Sequence, residues 1–308
     1  MEAANVTRAD GFHLLIFSDH PQMQIPLFVV FVLIYPATLM GNLLVMTIIY
    51  GSSHLHTPKY FFLSNLSFID IIYTSVIFSK MLAHFFRQKT YISFTECLLQ
   101  VYFFMAMVTL EFILLAVMAY DRYVAICNPL RYMTIMNKVV CFRLAAGSWV
   151  LGLMDVIPHT VLISGLSFCS SHEINHFFCD VTVLLKLSCT STLIIEALSY
   201  FLGVTVALMS FLLIITSYIS IISAILKLKS MQQRQKAFST CSSHLTVVIL
   251  LYRSVCSTYL RPTSTYSMKY NKIASLSYIT VTPLCNPIIY SLKNKEFKNA
   301  LKRTNNKA

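Results

Sequence analysis

Residues 95–120 read TECLLQVYFFMAMVTLEFILLAVMAY. After Glu96 near its start, the run holds a single charged side chain, Glu111, and is longer than the roughly twenty apolar residues that cross a bilayer's hydrocarbon core. The same reading on either side yields six more runs: 25–50, 58–81, 139–163, 193–226, 237–260 and 271–292. They are unbroken, without the two-residue alternation of a barrel wall, so they are expected to be helices. The second and seventh carry polar residues and prolines and are expected to be the least apolar. Pro26, Pro36, Pro58, Pro158, Pro283 and Pro287 lie in or beside spans, where neighbouring helices can satisfy the backbone groups they free. Composition agrees: of 308 residues, 56% are hydrophobic and 12% charged, with mean hydropathy +0.68. A water-facing surface needs about twice that charge, which excludes a secreted domain, a cytosolic enzyme or a disordered tail. The expected fold is an all-α membrane protein, a seven-transmembrane helix bundle at 25–292 between an extracellular segment, 1–24, and a basic cytoplasmic tail, 293–308.

Orientation follows from the cations. The net charge of +12 would suggest nucleic acid in a soluble protein; here it reports loop topology, and no nucleic-acid partner is expected. One side of the membrane would hold Lys59, Arg122, Arg131, Lys138, Arg143, Lys227, Lys229, Arg234 and Lys236, with Lys293, Lys295, Lys298, Lys302, Arg303 and Lys307 in the tail. The other would hold only Arg8, Arg87, Lys89, Lys186, Arg261, Lys269 and Lys272, while Lys80 and Arg253 fall inside spans. The richer side belongs in the cytoplasm, so the amino terminus is expected outside and the chain in the plasma membrane as a multi-pass protein. Asn5-Val6-Thr7 is then an outer glycosylation acceptor at Asn5, whereas Asn65-Leu66-Ser67 lies within a span. No basic flank, apolar stretch and small-residue cleavage site open the chain, so the first span is expected to direct insertion itself. The spans show no two-fold internal similarity of the kind many transporters carry.

Four groups of residues invite a chemical reading. Asp70 and Glu111 are carboxylates deep in spans, costly there unless paired, protonated or metal-bound; with Asn42 and Asn286 they could form a sodium-type cation site, or simply a hydrogen-bonded packing pair. Asp121-Arg122-Tyr123 closes the third span, as a conformational switch or a snorkelling interfacial pair. The loop Cys169-Ser-Ser-His172-Glu-Ile-Asn-His176-Phe-Phe-Cys179, followed by Cys189, has metal-ligand spacing, yet lies in an oxidising compartment where cysteines pair. Asp155 and Arg253 are intramembrane charges that either select a ligand or snorkel to water. No activated nucleophile accompanies the carboxylates, so no enzyme is expected.

Met118-Ala-Tyr-Asp-Arg-Tyr-Val-Ala-Ile-Cys127, followed by Asn128-Pro-Leu-Arg-Tyr132, resembles the olfactory receptors, rhodopsin-like G-protein-coupled receptors. The likeness recurs in order at Gly41-Asn42, Leu55-His-Thr-Pro-Lys-Tyr60, Leu63-Ser-Asn-Leu-Ser-Phe-Ile-Asp70, Ser217-Tyr218, Lys236-Ala-Phe-Ser-Thr-Cys-Ser-Ser-His-Leu245 and Pro283-Leu-Cys-Asn-Pro-Ile-Ile-Tyr-Ser-Leu292. It departs at Lys59, where the family usually has Met, at Ser79, where it has Pro, and at Leu251-Tyr252-Arg253, where it commonly has Phe-Tyr-Gly.

The resemblance implies a receptor that binds a small volatile odorant and activates a stimulatory heterotrimeric G protein, with no cofactor. It implies Arg122 as the switch, Tyr218 and Tyr290 as its partners in the active state, and disulfides Cys97–Cys179 and Cys169–Cys189. Leaning on it for the facing direction, helical spacing puts Phe104, Met105, Val108 and Thr109 on one pocket face, and Tyr252, Val255, Cys256 and Tyr259 on another; Val206 and Ile279 complete the set. Asn286, Pro287 and Tyr290 belong to the switch end of the seventh span. Glu296, Phe297, Ala300 and Leu301 have the spacing of a short tail helix on the lipid surface. The rivals are a receptor for another small ligand, opposed by the lack of an acid on the third-span face, and a transporter or channel, opposed by the lack of internal symmetry.

Overall fold

The computed structural model describes residues 10–15, 24–86, 90–168, 172–259, 268–292 and 295–305. Strand β1 (Gly11–Leu14) precedes helices α1 (Gln24–Gly51) and α2 (Pro58–Phe86); β2 (Thr90–Ser93) leads into α3 (Phe94–Cys127). A short α4 (Tyr132–Ile135) precedes α5 (Lys138–Asp155) and α6 (Ile157–Ser164), then β3 (Glu173–Ile174) and α7 (Val181–Leu187). The remaining helices are α8 (Leu193–Leu226), α9 (Met231–Tyr259), α10 (Met268–Leu292) and α11 (Lys295–Asn305). The seven expected spans correspond to α1, α2, α3, α5 with α6, α8, α9 and α10.

Local chemistry sets the helix ends. Pro58 opens α2, where its missing N–H costs nothing. Ser93 caps α3 in a reciprocal box: Glu96 N–H donates to Ser93 Oγ at 3.2 Å, and Ser93 N–H to Glu96 Oε2 at 3.1 Å. Glu96 also pairs with Lys80 at 2.8 Å, which settles the lysine expected inside the second span. The fourth span is interrupted at Val156: Pro158 has no N–H to continue the ladder, and its ring displaces the carbonyl four residues back.

Among the described residues, five of these spans, α1, α2, α3, α5 with α6, and α8, are long and apolar enough to cross a membrane. The second, expected among the least apolar, qualifies. It is α9 that falls short beside α10, because a serine- and threonine-rich stretch, His244 and Arg253 dilute it. Helices packed against protein tolerate such residues, and α10 packs on α9, α1 and α2.

Two glycines permit close helix approach. A side chain at Gly152 would meet Leu110 Cβ at 3.0 Å, so α5 lies directly on α3; one at Gly41 would meet Pro287 Cγ at 3.1 Å, bringing α1 onto α10.

The bundle's ends differ. At one end β1 is the middle strand of a sheet, antiparallel to β2 (Phe12 opposite Ile92) and parallel to β3 (Leu14 opposite Ile174). Phe12 is fully buried there, its ring 5.1 Å from Phe168. The segment before α1, the α2–α3 link and the loop after α6 therefore share one end. At the opposite end, α11 buries Phe297 and Ala300, and Tyr60, at the start of α2, donates to Glu296 Oε2 at 2.9 Å. The amphipathic tail helix is thus formed.

Candidate functional site

At the tail end a cavity of about 580 Å³ opens between α2, α3, α9, α10 and α11, lined among others by Lys59, Arg122, Gln235, His244 and Tyr290. Asp121 is almost fully buried and both its oxygens are used. Arg122 Nη2 lies 2.5 Å from Oδ2, and the Tyr132 hydroxyl donates to Oδ1 at 2.8 Å. Burial, then the neighbouring Asp121 carboxylate, push the Tyr132 hydroxyl above its ordinary pKa, so it stays a donor. Tyr123 is part-buried, its ring 6.2 Å from that of Tyr120.

The Tyr218 hydroxyl is engaged by His244 rather than by Arg122. It lies 2.9 Å from His244 Nδ1, while His244 Nε2 lies 3.1 Å from the Leu115 carbonyl oxygen. A carbonyl can only accept, so Nε2 carries a proton; in the neutral ring Nδ1 is then the acceptor and Tyr218 the donor. One buried imidazole thereby ties α8, α9 and α3 together. The Tyr290 hydroxyl is buried without a hydrogen-bond partner among the described residues. His244 and Tyr132 lie in stretches that carried the family likeness, yet received no role from spacing alone.

One layer deeper, Asn286 Nδ2 donates to Asp70 Oδ2 at 2.9 Å, and Asn42 Nδ2 to the carbonyl of Pro283 at 3.1 Å, a reach that the close approach at Gly41 allows. Glu111 lies within electrostatic reach of Asp70. Glu111 Oε1, Asn42 Oδ1 and Asn286 Oδ1 are buried and lack a donor among the described residues. Buried oxygens without donors suit a hard cation. Two carboxylates with amide oxygens do not make a transition-metal set, and no group of three or more His, Cys, Asp or Glu occurs among the described residues.

Towards the sheet end, the expected pocket residues divide. Phe104 is buried in an aromatic set, 5.7 Å from Tyr73, 5.0 Å from Phe178 and 6.3 Å from Tyr278, and Ile279 is buried nearby in sequence. Tyr252 packs edge-on to Phe112 at 5.0 Å, and its hydroxyl shares a 2.8 Å bond with Ser210. Thr109 Oγ1 instead reaches Asp155 Oδ2 at 3.5 Å, which turns it towards α5. Met105, Val108 and Val255 are partly buried against the core, Val206 lines a groove between α3 and α8, and Cys256 is exposed. The side chain of Tyr259 lies outside the described residues, as does Asn5.

The Cys97–Cys179 disulfide is formed and removes Cys179 from any zinc set. Cys189 is also disulfide-bonded; its expected partner, Cys169, lies outside the described residues. Gln100 fixes the loop, its Oε1 accepting from Cys179 N–H at 2.9 Å. His176 is fully buried, its ring 4.8 Å from Phe178. Burial holds its pKa below the ordinary value; Asp180 opposes that shift and Lys272 adds to it.

A seven-helix bundle whose third helix ends in an ion-paired arginine beside a cavity has the layout of a G-protein-coupled receptor. Comparison with known proteins gives the family. The olfactory receptor family model matches residues 31–307. The chain is 47% identical to Olfactory receptor 1G1 of Gorilla gorilla gorilla over 98% of its own length and 97% of the relative. It is 47% identical to human Olfactory receptor 1L3 over 100% and 94%, and 48% identical to human Olfactory receptor 8I2 over 98% and 97%. The chain belongs to the olfactory receptor family, a class of multi-pass membrane receptors that are not enzymes.

Proposed function

We propose that this chain binds a small volatile odorant in the sheet-end half of the bundle and, through the tail-end cavity, activates a stimulatory heterotrimeric G protein that raises cyclic AMP. The sheet end faces outward and the tail the cytoplasm, in keeping with the cation distribution. The observation that carries the reading is the state of the switch. Arg122 is held by Asp121, and Tyr218 is held by His244, 26 residues on and in a different helix. Both are side chains that an exchange-promoting receptor must release, so the arrangement is a resting one. Ligand energy reaches it only as a difference in affinity between resting and active packings.

Thr109 turns to Asp155, Val206 lines the α3–α8 groove and Cys256 is exposed, so the pocket centres on Phe104, Met105, Val108, Tyr252, Val255 and Ile279. Mainly apolar, with the Tyr252 hydroxyl, it selects weakly polar ligands by dispersion and one or two hydrogen bonds. A sodium ion held by Asp70, Glu111, Asn42 and Asn286 would stabilise the resting packing by supplying positive charge to the orphaned oxygens. Inner contacts with the G protein fall on Arg122, residues 124–138 and residues 227–236.

The test is cyclic AMP in cells expressing the chain with a stimulatory G protein, screened against a broad volatile panel, with Arg122→Ala in parallel. The variant is expected at the surface at near-normal density and without a ligand response. An undiminished response would remove Arg122 from its role.

A further inference from the structure

A groove of about 380 Å³ runs along the outside of the bundle between α3, α5 and α8, apart from the cavity and the pocket above, and Val206 lines it. It extends from Ile113 to Tyr120 on α3 and from Thr205 to Ser217 on α8, with Leu144 of α5 on its side. At 1.5 Å per residue the α8 edge is roughly 18 Å long, close to one leaflet of a hydrocarbon core about 30 Å thick. Its deeper hydroxyls are turned back on the protein. Thr205 Oγ1 donates to the Phe201 carbonyl at 2.6 Å and Ser210 Oγ to that of Val206 at 2.7 Å. Those groups leave little for an amine or a carboxylate to bind, whereas a hydrocarbon chain needs nothing from them.

The groove's mouth has the opposite character. Tyr120 and Ser217 stand there, each one residue before a switch residue, at the tail end. Because Gly152 abuts Leu110 and α5 runs antiparallel to α3, stepping back along α5 brings Arg143 roughly level with Ala119 and Lys138 roughly level with Val124. Both cations are exposed, as is Arg131 in the intervening turn, and no acidic residue occurs from 128 to 143. Long basic side chains at this depth lay their stems on apolar surface and extend their charge to the headgroup layer.

We propose that this groove holds one acyl chain of an anionic phospholipid from the tail-side leaflet, with its headgroup phosphate met by Arg143, next to Leu144 of the groove wall. The acyl chain follows from the groove's length, dryness and position in membrane-spanning helices; the anionic headgroup follows from the one-signed charge at the mouth. Ser210 on the groove wall also shares a hydrogen bond with Tyr252 of α9, so the bound chain braces the α8–α9 contact.

The test uses the purified full-length chain, equilibrated with phosphatidylcholine vesicles or with phosphatidylcholine vesicles containing phosphatidylserine, then extracted and weighed by native mass spectrometry. Retained phosphatidylserine is expected to exceed phosphatidylcholine. Arg143→Gln should lower that preference about fivefold, the worth of one cation near the membrane surface, while leaving phosphatidylcholine retention unchanged. Val117→Trp, which fills the groove, should reduce retention of both lipids; Leu213→Trp, at the exposed rim, does the same without loading the core, and a thermal melt verifies folding of each. Equal retention of the two lipids, or full retention in folded Val117→Trp and Leu213→Trp, overturns the assignment. So does disulfide cross-linking of two chains through Met209→Cys, since a second copy would then occupy the groove.

Discussion

Replacing His244 by Phe should release the switch without dismantling the fold. The imidazole makes two hydrogen bonds, to the Tyr218 hydroxyl at 2.9 Å and to the Leu115 carbonyl at 3.1 Å. Phe keeps a planar ring of similar size at this buried position. It leaves Leu115 with its intrahelical donor and Tyr218 with the Cys241 carbonyl 3.4 Å away, so no strongly unsatisfied group is created. Each bond contributes about 0.5–1.5 kcal/mol net, and both belong to the resting packing, so the resting-to-active equilibrium should move by roughly 1–3 kcal/mol, on the order of five- to 150-fold. A receptor that is active in roughly one molecule in a hundred at rest would then be active in somewhere between one in twenty and more than half. The assay is ligand-free cyclic AMP, normalised to surface receptor counted by flow cytometry, with Tyr218→Phe alongside. His244→Phe should raise the basal signal because it frees Tyr218 to turn towards Arg122. Tyr218→Phe breaks the same bond but removes the hydroxyl needed afterwards, and should raise it far less. Equal basal activity in His244→Phe and the unsubstituted chain, at equal surface density, would refute the lock.

Three further outcomes follow from other parts of the molecule. Replacing potassium by sodium should raise the melting temperature of the purified receptor, by the equivalent of about 1.4 kcal/mol at ten times Kd, and Asp70→Asn should abolish the difference; a sodium effect that survives Asp70→Asn would eliminate the cation site. His176 has its folded pKa lowered by burial, with Lys272 reinforcing and Asp180 opposing. The unfolded chain therefore binds the extra proton first, and stability is full at neutral pH and lost as pH falls below about 6.5. Thermal melts at pH 7.5 and 5.5 should show that loss, and His176→Gln should lessen it; an acid sensitivity unchanged by the substitution would clear His176. Gly152→Leu forces a side chain against Leu110 Cβ at 3.0 Å and the Ala106 carbonyl at 3.3 Å and should cost about 1–3 kcal/mol by overpacking. Gly203→Ala, inside α8 where nothing lies within 4 Å, should cost nothing and stabilise by at most about 1 kcal/mol in the same melt.

Hydrophobic run length located the spans because crossing a bilayer imposes one dominant requirement on every turn of helix. Thus 193–226 coincides with α8 to the residue. The break at Val156 was also within reach, since Pro158 was visible and its effect on the carbonyl four residues earlier is local. Nothing local announced β1: the four residues from Gly11 to Leu14 acquire strand geometry only by pairing with Thr90–Ser93 and Glu173–Ile174, and neither partner is nearby in sequence. His244 shows the corresponding limit at the site. Its place in a recurrent stretch was plain, but its role lies in bonds to Tyr218 and to Leu115, 129 residues away, which no helical period encodes. Thr109 carries the same lesson for the pocket. Spacing sets which residues share a face, whereas the neighbour that face meets, here Asp155, depends on how the helix is rotated in the bundle.

The placement of β1 in the centre of its sheet has a consequence for biogenesis. The middle strand is made before both of its partners, and the parallel one is 160 residues further on, from Leu14 to Ile174. At translation rates of about 5–20 residues per second, β1 waits roughly ten to thirty seconds before that third strand can pair. During that interval four spans, α1, α2, α3 and α5 with α6, two helical hairpins' worth of chain, must be inserted before the sheet can close. The sheet therefore closes only after its third strand is made, and a factor that shields a short apolar strand until then should raise the yield of folded receptor.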